Sequence, residues 1–409
     1  MDKKQEVGDA SKCIHPHQQE ALLAVKKQLD DIDQPNIALV VLPTGCGKTG
    51  VAVLAPYVLG SQRVLVLTPS NAISEQIFKA FGGQEPQDMF FVQREIITKD
   101  KTDDVRPSCT LITSTDQIKN SLHNELLIIT AHQVAGSSRV RIQDISPENY
   151  DLVIVDEAHH YPAPTWRTIV NHFSSSKRLF LTATPYHRST QGYILKDIEA
   201  HLAGLDGNVP VSIDKYFNLS LRKAIDEGVI REKEFHEVGT SEFVNEKTAM
   251  QEVSIKIIQI LCEHDAQDPS VKHQAMVLTQ SAEDFGINSA RDFFYEYNAI
   301  APPYYHCEMY IAGSPTSVLT KFQNGATRTL VIVNKLREGY DNTNVSVAAI
   351  VRNVGPKSKV LFAQFVGRAI RKAHPNDPVT AAIIAHKLHK QRNNYELFHS
   401  VADEDVIVN

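Results

Sequence analysis

Lys48 and Thr49 close the stretch VVLPTGCGKTG, where a proline and glycines separate two apolar runs. So little side chain suits a loop whose bare backbone N–H groups face an anion at the start of a helix. IALVVL reads as a buried strand and VAVLAPYVL as an apolar helix, so the setting is strand, glycine loop, helix. In such a cradle Lys48 would reach the outer phosphates of a nucleotide, and Thr49 would offer its hydroxyl to magnesium. The strict spacing G-x-x-x-x-G-K-[ST] fails at Leu42, which leaves Thr44, Gly45, Cys46 and Gly47 to form the turn.

A second cluster comes after the apolar run DLVIV. Ligands of open parallel sheets bind beyond the carboxyl ends of the strands, so the residues after each run matter most. There Asp156 is expected to hold magnesium through water, and Glu157 to orient or deprotonate an attacking water. After KRLFL, the small hydroxylated turn Thr182-Ala183-Thr184 could relay between that acidic tip and whatever faces it. Farther on, FAQFVGRAIRK is read as helical, which sets Gln364, Arg368 and Arg371 on one face. Opposite a phosphate loop, the two arginines would stabilise charge on a transferred phosphoryl group, in a nucleotide cleft between domains that closes and opens with hydrolysis.

The elements needed to position these groups are visible as short apolar runs. NIALVVL, RVLVLTPS, CTLITS, ELLIITAH, DLVIVDEAH and KRLFLTATP form one set; QAMVLTQS, YHCEMYIAG, TRTLVIVN, VSVAAIVRN and VTAAIIAH form another. Near-continuous runs of strand length mark parallel strands covered on both faces. The expected fold is α/β, two doubly wound parallel sheets in series. The strand rhythm lapses in AGLDGNVPVSIDKYFNLSLRKAIDEGVIREKEFHEV, which sets the boundary near Gly204 to Val211 and divides the chain into 1–205 and 206–409. No repeat period is visible, although the halves could be structural duplicates too diverged to show as repeats.

At 409 residues the chain is long enough for two or three domains with their own cores. A net charge of -6 supplies no global positive field, so any nucleic-acid contact must come from a local basic groove. The basic stretch KSKVLFAQFVGRAIRKAH, continuing to HKLHKQR, could line such a groove or be a solvated face. Cys13, Cys46, Cys109, Cys262 and Cys307 show no C-x-x-C spacing and read as reduced thiols. No run has the length of a membrane span, and the amino terminus lacks an apolar leader core, so an intracellular place, cytoplasm or nucleus, is expected.

These pieces in this order resemble the superfamily 2 helicases and translocases, from about His15 to Arg371. VLPTGCGKTG, DEAHHYPAPTW, LTATPYHR, LSLRKAIDEGVI and REGYDN look most like the DEAD/DEAH relatives of the type III restriction subunit. The resemblance implies tandem RecA-like domains, a helicase ATP-binding domain followed by a helicase C-terminal domain, and ATP with magnesium. It implies that Gln18 reads the adenine edge, that His159 with Thr182, Ala183 and Thr184 couples the two activities, and that Gly339 and Asp341 contact nucleotide. Thr68, Pro69, Ser70, Thr130, His132, Thr279 and Ser281 would meet the backbone of DNA or RNA without reading bases. One departure stands at Val333, where many relatives carry threonine.

The leading expectation is an ATP-driven motor on DNA or RNA. A nucleotide-gated sensor or clamp, and the motor subunit of a restriction or defence complex, remain open beside it. No nuclease signature or strand-separating hairpin is recognisable, so such functions are expected on a partner subunit or a further domain. A small-molecule kinase fits worst, because its chemistry has no need of a second sheet followed by Q-x-x-G-R-x-x-R.

Overall fold

The computed structural model describes residues 14–113, 117, 124–134, 141–185, 194–205, 217–241, 244–282, 289–333, 340, 342–355 and 359–403. It forms two compact units. One comprises Met1–Leu42 and Gly47–Leu219; the other comprises Ser220–Asn409 and the loop Pro43–Cys46.

The first unit carries strands β1 (Ile37–Val41), β2 (Val64–Thr68), β3 (Cys109–Leu111), β4 (Leu126–Thr130), β5 (Leu152–Val155), β6 (Lys177–Thr182) and β7 (Phe217–Asn218). They form one parallel sheet in the order β3-β4-β2-β5-β6-β1-β7. Its helices are α1 (Pro16–Asp30), α2 (Lys48–Leu59), α3 (Asn71–Ala80), α4 (Phe90–Gln93), α5 (Pro164–His172) and α6 (Ile194–Leu205). Every residue of β1, β2, β4 and β5 is buried, which is why these strands read as unbroken apolar runs. Leu39, Leu65, Val153 and Phe180 share a core with Trp166, Ile169 and Phe173. Burying each aliphatic side chain there contributes about 1.5–3 kcal/mol.

The second unit carries β8 (Lys233–Val238), β9 (Gln274–Thr279), β10 (Cys307–Tyr310), β11 (Thr329–Val333), β12 (Val345–Val351) and β13 (Ala381–His386). These strands are parallel, in the order β10-β11-β9-β12-β13-β8. Its helices are α7 (Leu221–Asp226), α8 (Glu246–Gln267), α9 (Ala290–Ile300), α10 (Ser317–Gln323), α11 (Lys359–Val366) and α12 (Arg392–Asp403). In α8, Asn245 caps the first turn by accepting from the Thr248 N–H (2.8 Å), and Met250, Val253, Ile257 and Leu261 form its buried stripe. Two α/β units, each built on one parallel sheet, thus follow one another along the chain, as the apolar runs imply.

The units divide at Leu219 and Ser220, beyond the expected 205/206. Phe217 and Asn218 pair with Val40 and Val41, so the chain still serves the first sheet there. The sequence reading also passed over β7 and β8. Both are edge strands, and KEFHEV in β8 has only Phe235 and Val238 as apolar residues, so neither shows a continuous apolar run.

A buried ion pair organises the second unit. The Arg231 side chain is inaccessible; Nη2 lies 2.5 Å from Asp377 Oδ2, and Nη1 donates to the carbonyls of Val345 (2.6 Å) and Ala369 (2.9 Å). Asp377 in turn accepts from the backbone N–H groups of Ala373 and Val379. With its donors and acceptors matched in this way, the pair fixes where the chain past α11 must run.

Three histidines of this unit, His264, His273 and His389, are buried. Burial, followed by the nearby His273 and Arg231, pushes His264 down to about 4; burial pushes His273 and His389 to about 4 as well. Below their ordinary value of 6.5 the unfolded chain takes up protons that the folded unit refuses, so stability must fall as pH drops from 6.5 toward 4. Each histidine can cost up to about 3 kcal/mol across that window. Thermal unfolding at stepped pH between 7.5 and 5 should therefore show a steadily falling midpoint; a flat midpoint would mean that the three rings are accessible to protons in the fold.

Candidate nucleotide site and nucleic-acid face

β1 leads into the glycine loop, where Gly45 and Gly47 take φ values of +94° and +78°, a region open to glycine and strained for other residues. Gly47 caps α2 at its N-terminus, and its carbonyl accepts from the Gly50 N–H (2.9 Å) and from Gln18 Nε2 (2.8 Å). A Cβ on Gly47 would lie 2.4 Å from Gln18 Nε2, so the close approach also requires glycine. Gln18 is 1% exposed, and its Oε1 accepts from the His15 N–H (3.0 Å). One end of that amide therefore caps α1, and the other fastens the helix to the loop.

Lys48 is the first residue of α2, and its Nζ stands 2.8 Å from Glu157 Oε1. Glu157 follows the tip of β5 with a left-handed backbone (φ +50°), an uncommon state for a residue with a Cβ. Its Oε2 is 3.3 Å from His159 Nδ1, which is 3.4 Å from Thr182 Oγ1. Lys48, Glu157, His159 and Thr182 thus make a continuous polar line from α2 across the ends of β5 and β6. Burial opposes charge on Glu157, but Lys48 and then His159 outweigh it and hold the carboxyl well below the usual carboxylate range.

The line is anchored at both ends. His159 is 2% exposed and packs on His160 (ring centroids 4.3 Å apart), which stacks on Trp166 at 5.5 Å. The Thr182 hydroxyl donates to the Thr184 carbonyl (3.0 Å) and accepts from the Thr184 N–H (3.1 Å), closing a turn around Ala183. Thr184 Oγ1 is buried with no hydrogen-bond partner among the described residues.

Magnesium would find oxygen donors here. Asp156 is 9% exposed beside Glu157, whose N–H donates to Asp156 Oδ1 (2.9 Å), and Thr49 is the second residue of α2. One hydroxyl and one carboxylate suit a hard cation that keeps its waters and binds phosphate oxygens as well. Among the described residues no group of three or more His, Cys, Asp or Glu could hold a metal alone.

The second-unit motif departs from expectation. The helix bearing Gln364 ends at Val366, so Arg368 and Arg371 do not continue its face. The Arg368 and Ala369 N–H groups bond three residues back, to Phe365 (3.2 Å) and Val366 (2.9 Å), which tightens the chain out of the α-helix after Gly367. Arg368 is 5% exposed and Nη1 donates to the Tyr340 carbonyl, while Arg371 bridges Ile230 as an antiparallel pair. Gln364 is 6% exposed, and neither Nε2 nor Oε1 has a hydrogen-bond partner among the described residues. Gly339 and Asp341 lie outside the described residues.

Three of the residues expected to meet a nucleic-acid backbone are buried. Thr68 is inaccessible, its hydroxyl 2.6 Å from Ser74 Oγ and 3.3 Å from the Ile129 carbonyl. Thr279 is also inaccessible and donates to the Ile332 carbonyl (3.1 Å); Thr130 is 4% exposed. The Thr68 and Thr279 hydroxyls thus tie neighbouring strands and brace the edge of each sheet, and Thr130 is buried beside Thr68. The residues at the surface are Pro69, Ser70 and Ser281, partly exposed, and His132, exposed. Ser70 caps α3 by accepting from the Ile73 N–H, while Ser281 Oγ is buried without a partner among the described residues.

Sequence reasoning missed Arg231 and Asp377, whose pair holds the carbonyl of Ala369 beside Arg368. The only visible signal is an arginine entering a strand, since its partner lies 146 positions away.

Replacing Gln364 by leucine removes a buried amide that lacks hydrogen-bond partners among the described residues, a kind of group that costs about 1–3 kcal/mol. The thermal midpoint of Gln364→Leu should hold or rise. A lowered midpoint would show that the fold itself depends on the amide.

The first unit has known relatives. Residues 11–187 match the family model described as type III restriction enzyme, res subunit. The type I restriction enzyme EcoAI endonuclease subunit of Escherichia coli is 25% identical over 174 residues, 40% of this chain and 19% of that one. This chain spans 31%, 19%, 34% and 54% of the four curated relatives it matches. Among solved structures, the ATP-dependent type ISP restriction-modification enzyme LlaBIII bound to DNA covers 91% of this chain with 27% of its own (TM-score 0.59, 15% identity). The helicase Lhr of Mycobacterium smegmatis, bound to single-stranded DNA and AMP-PNP, covers 95% with 48% of its own (TM-score 0.60, 15% identity). Over residues 11–187 the chain is therefore similar to the type III restriction enzyme res-subunit family, and the likeness to solved structures gives two RecA-like folds.

Proposed function

We propose that this chain hydrolyses ATP and uses the cycle to move along, or remodel, DNA or RNA. The observation that carries the reading is the line Lys48, Glu157, His159, Thr182 at the carboxyl edge of the first sheet. In this reading the loop amides and the N-terminus of α2 hold the phosphates, and Gln18 stiffens the loop or turns to the adenine edge. Lys48 leaves Glu157 for the outer phosphates. Glu157, its charge no longer countered, orients or deprotonates the attacking water. Magnesium, held by Thr49 and by Asp156 through water, would neutralise phosphate charge when bound.

His159 senses the change at Glu157 and passes it to the turn Thr182-Ala183-Thr184. Arg368 and Arg371 stabilise charge on the transferred phosphoryl group, and Gln364 supplies a buried amide to nucleotide or water. Gly339 and Asp341 belong with them by resemblance. The track would cross Pro69, Ser70, His132 and Ser281, which offer hydroxyl, amide and imidazole to phosphates without reading sequence. The match to the res subunit favours a second, narrower reading, in which this motor serves a restriction complex with nuclease activity elsewhere.

Steady-state ATP hydrolysis, measured alone and with single-stranded and duplex DNA and RNA at low salt, tests the reading. Strong stimulation by one of them is expected and names the track; indifference to all of them would remove nucleic acid from the proposal. Lys48→Ala should lose nucleotide binding. Glu157→Gln should lower turnover about 10²–10⁴-fold while binding ATP at least as tightly, because Lys48 no longer has a charged partner to leave. Arg371→Ala should bind ATP yet hydrolyse it about 10³-fold or more slowly. Undiminished turnover in Glu157→Gln would strip that residue of its role.

A further inference from the structure

Gly50, in the first turn of α2, admits two side chains to the helix surface. A Cβ there would lie 2.5 Å from Gln18 Nε2 and 2.8 Å from Phe90 Cζ, so a larger residue would push apart the amide from α1 and the ring from α4 that meet on this turn. Phe91 packs in turn on Tyr57 of α2, with ring centroids 4.8 Å apart, and both phenylalanines are buried. Positions 50 and 57 share one face of the helix, so the two rings seat α4 along it.

α4 ends in a strained turn. The Arg94 N–H donates to the Phe90 carbonyl (2.9 Å) and the Ile96 N–H to that of Phe91 (2.8 Å), around Glu95, whose backbone is left-handed (φ +55°). Such backbone is uncommon outside glycine and clusters at binding sites. The turn leaves Arg94 exposed, with its guanidinium carbon 5.8 Å from the centre of the Phe90 ring. The same corner holds His15, half-buried and stacked on the inaccessible His17 (5.2 Å between centroids, 14° between planes). Burial, then His17, then the nearby charge of Arg94 hold His15 below its ordinary value of 6.5, so its ring is neutral at neutral pH. Two flat groups, one cationic and one neutral, thus flank the start of α2, beside the loop expected to hold phosphates.

Gln18 is poorly placed to read a base. It is 1% exposed, its Nε2 donates to the Gly47 carbonyl (2.8 Å) and its Oε1 accepts from the His15 N–H (3.0 Å). Turning that amide to a base edge would uncap α1 and release the loop. We propose that the bound nucleotide's base is held by its faces, on Arg94 and His15, and that the site therefore takes purine nucleoside triphosphates, ATP and GTP alike, ahead of pyrimidine ones. The proposal rests on the reading of the glycine loop as a triphosphate site and names its substrate class. Stacking on a planar guanidinium or imidazole rewards the larger two-ring bases and is blind to the exocyclic groups that separate adenine from guanine.

Equilibrium binding of ATP, GTP, CTP and UTP, with inorganic tripolyphosphate as the probe that lacks a base, tests this on the full chain and on its Arg94→Lys, Arg94→Ala and His15→Ala variants. ATP and GTP should bind within a few-fold of each other and about tenfold or more tighter than CTP and UTP. Arg94→Lys keeps the charge but not the plane, so the purine advantage should shrink toward unity while tripolyphosphate binds as before. A preference for ATP over GTP of about a hundredfold or more would overturn the proposal, because only hydrogen bonds to the base edge separate the two so far. A purine advantage unchanged in both Arg94→Ala and His15→Ala would do the same. Nucleotides that bind no tighter than tripolyphosphate would overturn it while leaving the phosphate loop its role. Failure of tripolyphosphate and of every nucleotide to bind would remove the phosphate site itself, and this proposal with it.

Discussion

A sheet whose strands all run one way delivers the last residue of every strand to the same edge. That constraint governs the rest of this molecule. The backbone is saturated within each ladder, so chemistry can be done only by the loops that leave the strand ends, and connections must return across the faces as helices. Lys48, Glu157 and Thr182 are far apart in sequence and belong to different loops, yet the order that places β5, β6 and β1 side by side brings their loops together. The buried strands contribute cohesion, and their ends contribute function.

At that edge, electrostatics decides which state is favoured. Two opposite charges about 4 Å apart attract by about 4 kcal/mol at an effective dielectric of 20, and Lys48 and Glu157 are closer than that, each 15% exposed. A nucleotide brings more negative charge than one carboxylate, so it can win the lysine. The left-handed backbone at Glu157 stores on the order of 1–3 kcal/mol of strain, held in place by packing of the following histidines on Trp166. Strain retained at such a point fits a residue whose carboxylate must sit where no relaxed strand end would put it.

The sequence made the strands of both sheets legible because burial on two faces leaves apolar runs that no surface segment imitates. It also exposed the glycine loop and the acidic tip, since each depends on residue types at fixed spacing. Edge strands β7 and β8 escaped, being half polar or too short. The end of α11 at Val366 escaped because apolar periodicity in FVGRAI looks helical, whereas glycine at 367 and the pull of Arg231 on the Ala369 carbonyl favour a tighter turn. Thr68 and Thr279 were hard to read because a hydroxyl at a strand tip has two outlets, a ligand or a neighbouring strand. Only burial tells them apart, and burial is tertiary information.

The two folds share a permutation but divide their chemistry. After β5 the first has Asp156 and Glu157; after β12 the second has Arg352 and Asn353. After β1 the first has Gly45 and Gly47 leading to Lys48; after β8 the second has one glycine of positive φ, Gly239, and no lysine directly behind it. Duplication of a phosphate-binding architecture makes one copy free to lose its carboxylates, because hydrolysis needs a single acidic tip. The second sheet therefore repeats the strand order of the first without its acidic tip, and the carboxylates that hydrolysis needs stand at one edge of one sheet.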